Sequence, residues 1–185
     1  MTMMKRLVIH PKDGSTSFLK KIYEGLKNIT LIESGEDILE NLDELIRTHD
    51  QVLFLGHGMP KGLLAVGQFG FNTFVMNASR VGGLKEKDNS IFIWCYASDF
   101  VRAHHLGGFA TGMFISEEIE AYAMGVECTE VDIKISNEVF ATAVGTALEQ
   151  EMGNHELYAH VKQQYEPLVG TNPVVRYNWG RVGVW

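Results

Sequence analysis

With 185 residues, 45% of them hydrophobic and 21% charged, the chain has the length and composition of one globular domain able to bury a substantial core. Its net charge of −7 argues against nucleic acid or an anionic membrane surface as a partner. No apolar run approaches the roughly 18 residues of a membrane span, and the two cysteines, with no C-x-x-C between them, are too few for a disulfide framework.

Met1-Thr2-Met3-Met4-Lys5-Arg6 leads only into Leu7-Val8-Ile9 before His10-Pro11, an apolar stretch too short for the core of a secretory signal, so a cytoplasmic location is expected. Arg6 to His10 reads as a first strand stopped by Pro11. Lys12-Asp13-Gly14 is a turn, after which Ser15 or Thr16 can cap a helix over residues 17–27 with Phe18, Ile22 and Leu26 four apart. Ile29 to Ile32 is a second strand. Ser34 stands three residues before Asp37, a capping-box spacing, and opens a helix that carries Ile38, Leu39, Leu42, Leu45 and Ile46 to about residue 49. Val52 to Leu55 has no polar break, which suits a strand buried on both faces of a parallel sheet, and Gly56-His57-Gly58 ends it at once. Strand, helix, strand, helix, strand within 55 residues indicates right-handed crossovers.

Met59 to Asn72 holds Gly62, Gly67 and Gly70 between short apolar pieces and reads as a small hairpin beside the main sheet. Residues 73–84 are expected to be helical and Ile91 to Trp94 a fourth strand. Ser98 can cap a helix from Asp99 to about Leu106, and Phe109 to Ser116 is a fifth strand. Glu117 to Met124 is a helix carrying three glutamates; Asn137–Met152 and His155–Leu168 are two more. The tail over 172–179 alternates like an edge strand, with Trp179 and Trp185 expected to pin it down. The expected fold is α/β, a three-layer sandwich with a mainly parallel central sheet, in one domain over 1–185.

Open α/β sheets bind ligands at the carboxyl ends of their strands. His57 ends the third strand and Cys95 the fourth, with room between them for one crossover unit. A thiol is mostly protonated at neutral pH, so a nucleophilic cysteine needs a base or a positive field. His57 can be the base, and the helix expected from Asp99 would aim its positive end at Cys95. The backbone N–H groups of Gly58 and Cys95 are candidate oxyanion donors, since glycine lets a carbonyl approach closely. No carboxylate is placed by the sequence to orient His57, so the pair reads as a dyad. Cys128 reads as a small buried hydrophobe. His104-His105 diverge on a helix, no H-x-x-x-H occurs, and the glycines form neither a P-loop nor a dinucleotide fingerprint; no metal and no cofactor are indicated.

His57-Gly58 after one apolar strand, a spacer, and a second apolar strand ending in Cys95 together resemble the caspase-like (clan CD) cysteine peptidases, which include caspases, legumains, gingipains, separase and CHAT domains. Ala97-Ser98 after the cysteine is similar to the CHAT pattern. The resemblance covers roughly residues 5–126. It implies a caspase-like fold, Cys95 as nucleophile, His57 assisting, an oxyanion N–H from Gly58, and a peptide or protein as substrate. Trp94 departs from the family, which usually has a small residue there. His10, Asp13 and Arg102 lie on or near loops at the same edge and are candidates to line a substrate-binding pocket. One alternative is a catalytically inactive caspase-like binding or regulatory domain. Another is a cysteine hydrolase of the DJ-1 or glutamine-amidotransferase type with His104, His155 or His160 as partner; its strand-to-helix elbow favours small residues two positions either side of the cysteine, which Ala97 meets and Ile93 does not. A homo-oligomer is compatible with each reading.

Overall fold

The computed structural model describes residues 4–185, so Met1, Thr2 and Met3 of the stretch weighed above as a signal sequence lie outside the described residues. The apolar runs become strands where no polar residue interrupts them: β1 (Arg6–Ile9), β2 (Ile29–Ile32) and β3 (Gln51–Leu55). Directly after β3 the chain builds β4 (Gly58–Met59), β5 (Gly62–Leu64) and β6 (Phe74–Asn77), then returns as β7 (Ile91–Ile93), β8 (Phe109–Thr111) and the C-terminal β9 (Val182–Val184). The main sheet has the order β2-β1-β3-β7-β8-β9 and is parallel except for β9, which runs against β8 at the edge. The strands β4-β5-β6 form a separate antiparallel sheet.

Side chains alternate across a strand, so each central strand feeds two cores. Leu7, Ile9, Val52, Phe54, Phe92 and Trp94 face one side. There they meet α1 (Leu42–Thr48), α2 (Ala97–Ala103) and the small sheet. Val8, Leu53, Leu55, Ile91 and Ile93 face the other. They are covered by a 3₁₀ helix over Ser17–Ile22 and by α4 (Glu130–Glu149) and α5 (Asn154–Tyr165), which follow α3 (Glu118–Ala123) in the chain. The result is a three-layer α/β sandwich. A lesser cluster of Ile115, Ala121, Ile133 and Val174 joins α3 and α4 to the last helix, α6 (Pro173–Trp179). No helix among the described residues is long and apolar enough to cross a membrane.

Several boundaries differ from the sequence reading, each for a local reason. The segment after Pro11 forms the short 3₁₀ helix instead of a helix to residue 27, and Thr16 makes no side-chain cap bond. Its hydroxyl is occupied by a ring nitrogen of His10 at 3.0 Å. Gly35, at φ +140°, replaces Ser34 as the entry to a 3₁₀ turn over Glu36–Glu40 that precedes α1. Residues 73–84 supply β6 and two 3₁₀ turns, because Phe74 to Asn77 completes the small sheet. Helix α2 starts at Ala97, entered from Tyr96 in the left-handed region (φ 68°), with no cap from Ser98. Strand β8 stops at Thr111, and α4 starts at Glu130 behind a reciprocal Thr129–Asp132 capping box. The tail over 173–179 is helical: Pro173 sits in its first turn and the Asn172 side chain accepts from the N–H groups of Val174 and Val175. The edge strand comes after it.

Candidate functional site at the carboxyl edge of the sheet

Strands β3 and β7 are parallel neighbours in the register Leu53↔Ile91, Phe54↔Phe92, Leu55↔Ile93. Leu55 and Ile93 face the core under α4, and two residues further on the same alternation brings His57 and Cys95 out on that side. Both line one cavity of about 20 Å³, walled also by Phe18, Leu19, Phe114 and Glu120. That is room for about one water molecule.

Gly56 makes the exit from β3 possible. Its φ of +142° is open to glycine and strained for other residues, and its N–H donates to the Ile93 carbonyl at 3.0 Å. Behind His57 stands a second layer. Asp13 accepts from the Ser15 N–H at 2.7 Å and from its hydroxyl at 2.6 Å, and the Ser15 oxygen lies 2.6 Å from His57 Nε2. These bonds from Ser15 hold the Asp13 carboxyl below its ordinary range. A hydroxyl has one proton; with that proton directed to the carboxylate, Nε2 carries its own and donates to Ser15. Nδ1, which has no partner among the described residues, is then the nitrogen left to accept. The expectation of a dyad without a carboxylate is therefore corrected: Asp13, expected in a substrate-binding pocket, sits behind the imidazole through Ser15.

Cys95 is held differently. Its thiol donates to Glu120 Oε1 at 3.3 Å and to the Phe114 carbonyl at 3.5 Å. Burial first, then the negative charge of Glu120, push it up to about 12. Any field from the start of α2 is outweighed, which corrects the expectation of a thiol lowered by that helix. Glu120 is itself fixed, its Oε2 accepting from the N–H groups of Ser116 at 2.7 Å and Glu117 at 3.1 Å. The resting sulfur is a thiol, bonded to a carboxylate and not to His57.

The Leu64 N–H donates to the His57 carbonyl at 2.9 Å. In an antiparallel ladder bonded and non-bonded pairs alternate, so Gly58, opposite Leu63, turns its N–H away from β5. A side chain at Gly58 requires a neighbour to move: a Cβ there would fall 2.0 Å from Cδ1 of Trp94. The Trp94 indole lies on that glycine and donates from Nε1 to the Met59 carbonyl at 3.1 Å. This gives a physical role to the large residue before Cys95, which clamps the small sheet to the end of β7.

The remaining candidates lie elsewhere. His10 is 1% exposed, its ring nitrogens 3.0 Å from the Tyr23 and Thr16 hydroxyls, and burial lowers it to about 4. It has no face for a substrate and instead braces Thr16, which borders the cavity. Arg102 pairs with Asp99 and lines a separate groove with Tyr96, Tyr177 and Arg181. Neither therefore lines the His57–Cys95 cavity, as the sequence reading expected of a substrate pocket. His104 packs its ring on Phe100 at 4.5 Å between centroids, and none of His104, His155 and His160 borders the cavity. Cys128 packs beside the small cluster of Ile115 and Ala121. Among the described residues no group of three His, Cys, Asp or Glu side chains could hold a metal ion.

Sequence reasoning missed Ser15, read as a helix cap, and Glu120, which nothing in the sequence separates from Glu117 and Glu118. Compared with protein-family models, curated proteins and solved structures, the chain matches none.

Proposed function

We propose that this chain is a caspase-like cysteine hydrolase of peptide amides, resting in a closed form, with Cys95 as nucleophile and His57 as base. The observation that carries the reading is the pairing of these two residues on one cavity, at the ends of adjacent parallel strands, with Asp13 and Ser15 behind the imidazole. A substrate carbonyl needs more room than one water, so the wall formed by Phe114 and Glu120 has to withdraw on binding. Withdrawal removes both causes of the raised thiol, its burial and its carboxylate neighbour. His57 Nδ1 then takes the thiol proton as sulfur bonds to the carbonyl carbon, and the N–H groups of Gly58 and Cys95 receive the developing oxyanion. The imidazolium returns the proton to the departing amine. Water, deprotonated by the same nitrogen, hydrolyses the thioester and frees the thiol.

A second reading, a binding domain of the same fold without turnover, is favoured by the thiol near 12 and by its bond to Glu120. Two electrophiles separate the readings. A peptidyl acyloxymethyl ketone, which enters as a substrate does, should label Cys95 alone, at least tenfold more slowly in His57→Ala. Iodoacetamide should react slowly with Cys95 at neutral pH and faster in Glu120→Gln, where the cap to α3 is kept and the charge is gone. Slow and equal labelling of Cys95 and Cys128 by both reagents, indifferent to His57, selects the binding domain.

A further inference from the structure

Between the end of β8 at Thr111 and the start of α3 at Glu118, Phe114 and Ile115 are buried although no strand among the described residues pairs with them. Buried peptide groups need partners, and here side chains supply them. Asn178 of α6, itself fully buried, accepts from the Ile115 N–H and donates to the Ile115 carbonyl, each at 2.9 Å. Its second amide hydrogen goes to Ser136 Oγ on α4 at 3.1 Å, and that oxygen lies 3.1 Å from the Tyr165 hydroxyl on α5. One amide thus stands in for a strand, and its orientation is fixed, because a flipped amide would set donor against donor. Asn137 of α4 adds a bond to the Ser116 carbonyl at 2.9 Å.

The stretch that follows is lightly held. Of the six residues of α3 only Ala121 is buried, while Ile119 and Tyr122 are largely exposed. Glycines bound the stretch. Gly112 is anchored, its N–H donating to the Arg181 carbonyl at 2.6 Å and its carbonyl accepting from the Tyr96 N–H at 3.0 Å; Gly125 turns the chain at φ +66°. Phe114 and Glu120, the two residues that close on the Cys95 thiol, lie between them. The closed position also leaves Asn137 Oδ1 buried without a partner among the described residues. Water can satisfy that oxygen once Ser116 moves off the amide, so opening recovers part of what the broken bonds lose. A segment with few buried contacts between fixed ends opens at less cost than the whole fold.

We infer that residues 113–124 form a lid over Cys95, hinged at Gly112 and Gly125 and latched by Asn178, so that α6 controls access to the thiol. The inference rests on the hydrolase reading for what the opened site does, whereas the opening itself is tested without substrate. The first measurement uses the unmodified chain in increasing urea below its unfolding transition. Iodoacetamide labelling of Cys95 and hydrogen exchange of the Ile115 amide should share one shallow dependence on urea, while the β3 amides follow the steep slope of global unfolding. The second uses Asn178→Asp, which keeps the shape but sets a carboxylate against the Ile115 carbonyl and the Ser136 hydroxyl. Cys95 should be labelled at least tenfold faster at neutral pH, still with the shallow slope. An acceleration below tenfold in the folded variant, or Cys95 and Ile115 opening in the unmodified chain only on the steep slope, overturns the lid. A lid that opens as described over a thiol that the peptidyl ketone never labels keeps the lid and removes the hydrolase. Labelling by that ketone that depends on His57, in a chain whose Ile115 amide opens only with the whole fold, does the reverse.

Discussion

His10 and His57 leave the same edge of the sheet and meet opposite fates. His10 has both ring nitrogens against neutral hydroxyls beneath packed hydrocarbon, whereas His57 has Ser15 and the Asp13 carboxylate beside Nε2 and no partner for Nδ1 among the described residues. Burial is the largest cause of the lowered His10, which holds its proton only below about 4 when folded and below 6.5 as an unperturbed residue. The unfolded chain therefore binds more protons between those two values. Stability from neutral His10 is complete above pH 6.5 and is lost as pH falls toward 4, by about 3 kcal/mol over the whole window. His10→Gln, which can still bond both hydroxyls but does not titrate, should lose correspondingly less between pH 7 and pH 4.5 in urea unfolding. An identical loss in both proteins would show that His10 is not the group responsible. At this scale the sequence marks Cys95 and His57 because strand ends are legible from apolar runs. Ser15 and Glu120 are not, since their parts are set by contacts 42 and 25 residues away.

Among the elements, those defined by unbroken apolar runs match their expected bounds closely, and those defined by caps do not. β1, β2 and β3 lie within a residue of where Ile, Val and Leu place them. The Ser15 and Thr16 hydroxyls are diverted to His57 and His10, so the helix they were expected to cap shortens to a 3₁₀ turn. Conversely Thr129–Asp132 and Asn172-Pro173 are local start signals that weigh more than the alternation around them. The small sheet depends on the contact between Gly58 and Trp94. Gly58→Ala drives a methyl into the indole, 2.0 Å from Cδ1, and should cost about 1–3 kcal/mol in chemical denaturation. Trp94→Leu in the same chain vacates the space, so the double variant should be less destabilised than the two single effects added. Simple additivity would mean that the glycine answers to something other than the ring, such as the Gly62 carbonyl at 2.8 Å.

Across the whole molecule, the mainly parallel character of the sheet follows from the spacing of the first three strands, but its far edge does not. β9 reaches β8 from the opposite end of the chain and runs against it, a pairing set by α6 and by the bonds of Trp185 with Gly108. The two cores are legible as alternating residues, and their coupling is a consequence: Phe54 and Leu55, or Phe92 and Ile93, are neighbours in one strand and serve opposite faces. Neither face can lose its packing without releasing strands that the other needs. Phe140 on α4 is fully buried on the α4–α5 side, 4.6 Å from the Phe114 ring and 6.4 Å from Tyr165 between centroids. Phe140→Ala should cost about 3–5 kcal/mol. Trp94 lies on the other side and can report independently when Trp179 and Trp185 are replaced by Phe. If the sheet binds the cores into one unit, Trp94 fluorescence and far-ultraviolet circular dichroism will shift their denaturation midpoints together on removal of Phe140. A Trp94 transition that stays in place while the circular dichroism midpoint falls would mean that the α4–α5 layer comes away alone, carrying the Phe114 wall of the Cys95 cavity with it.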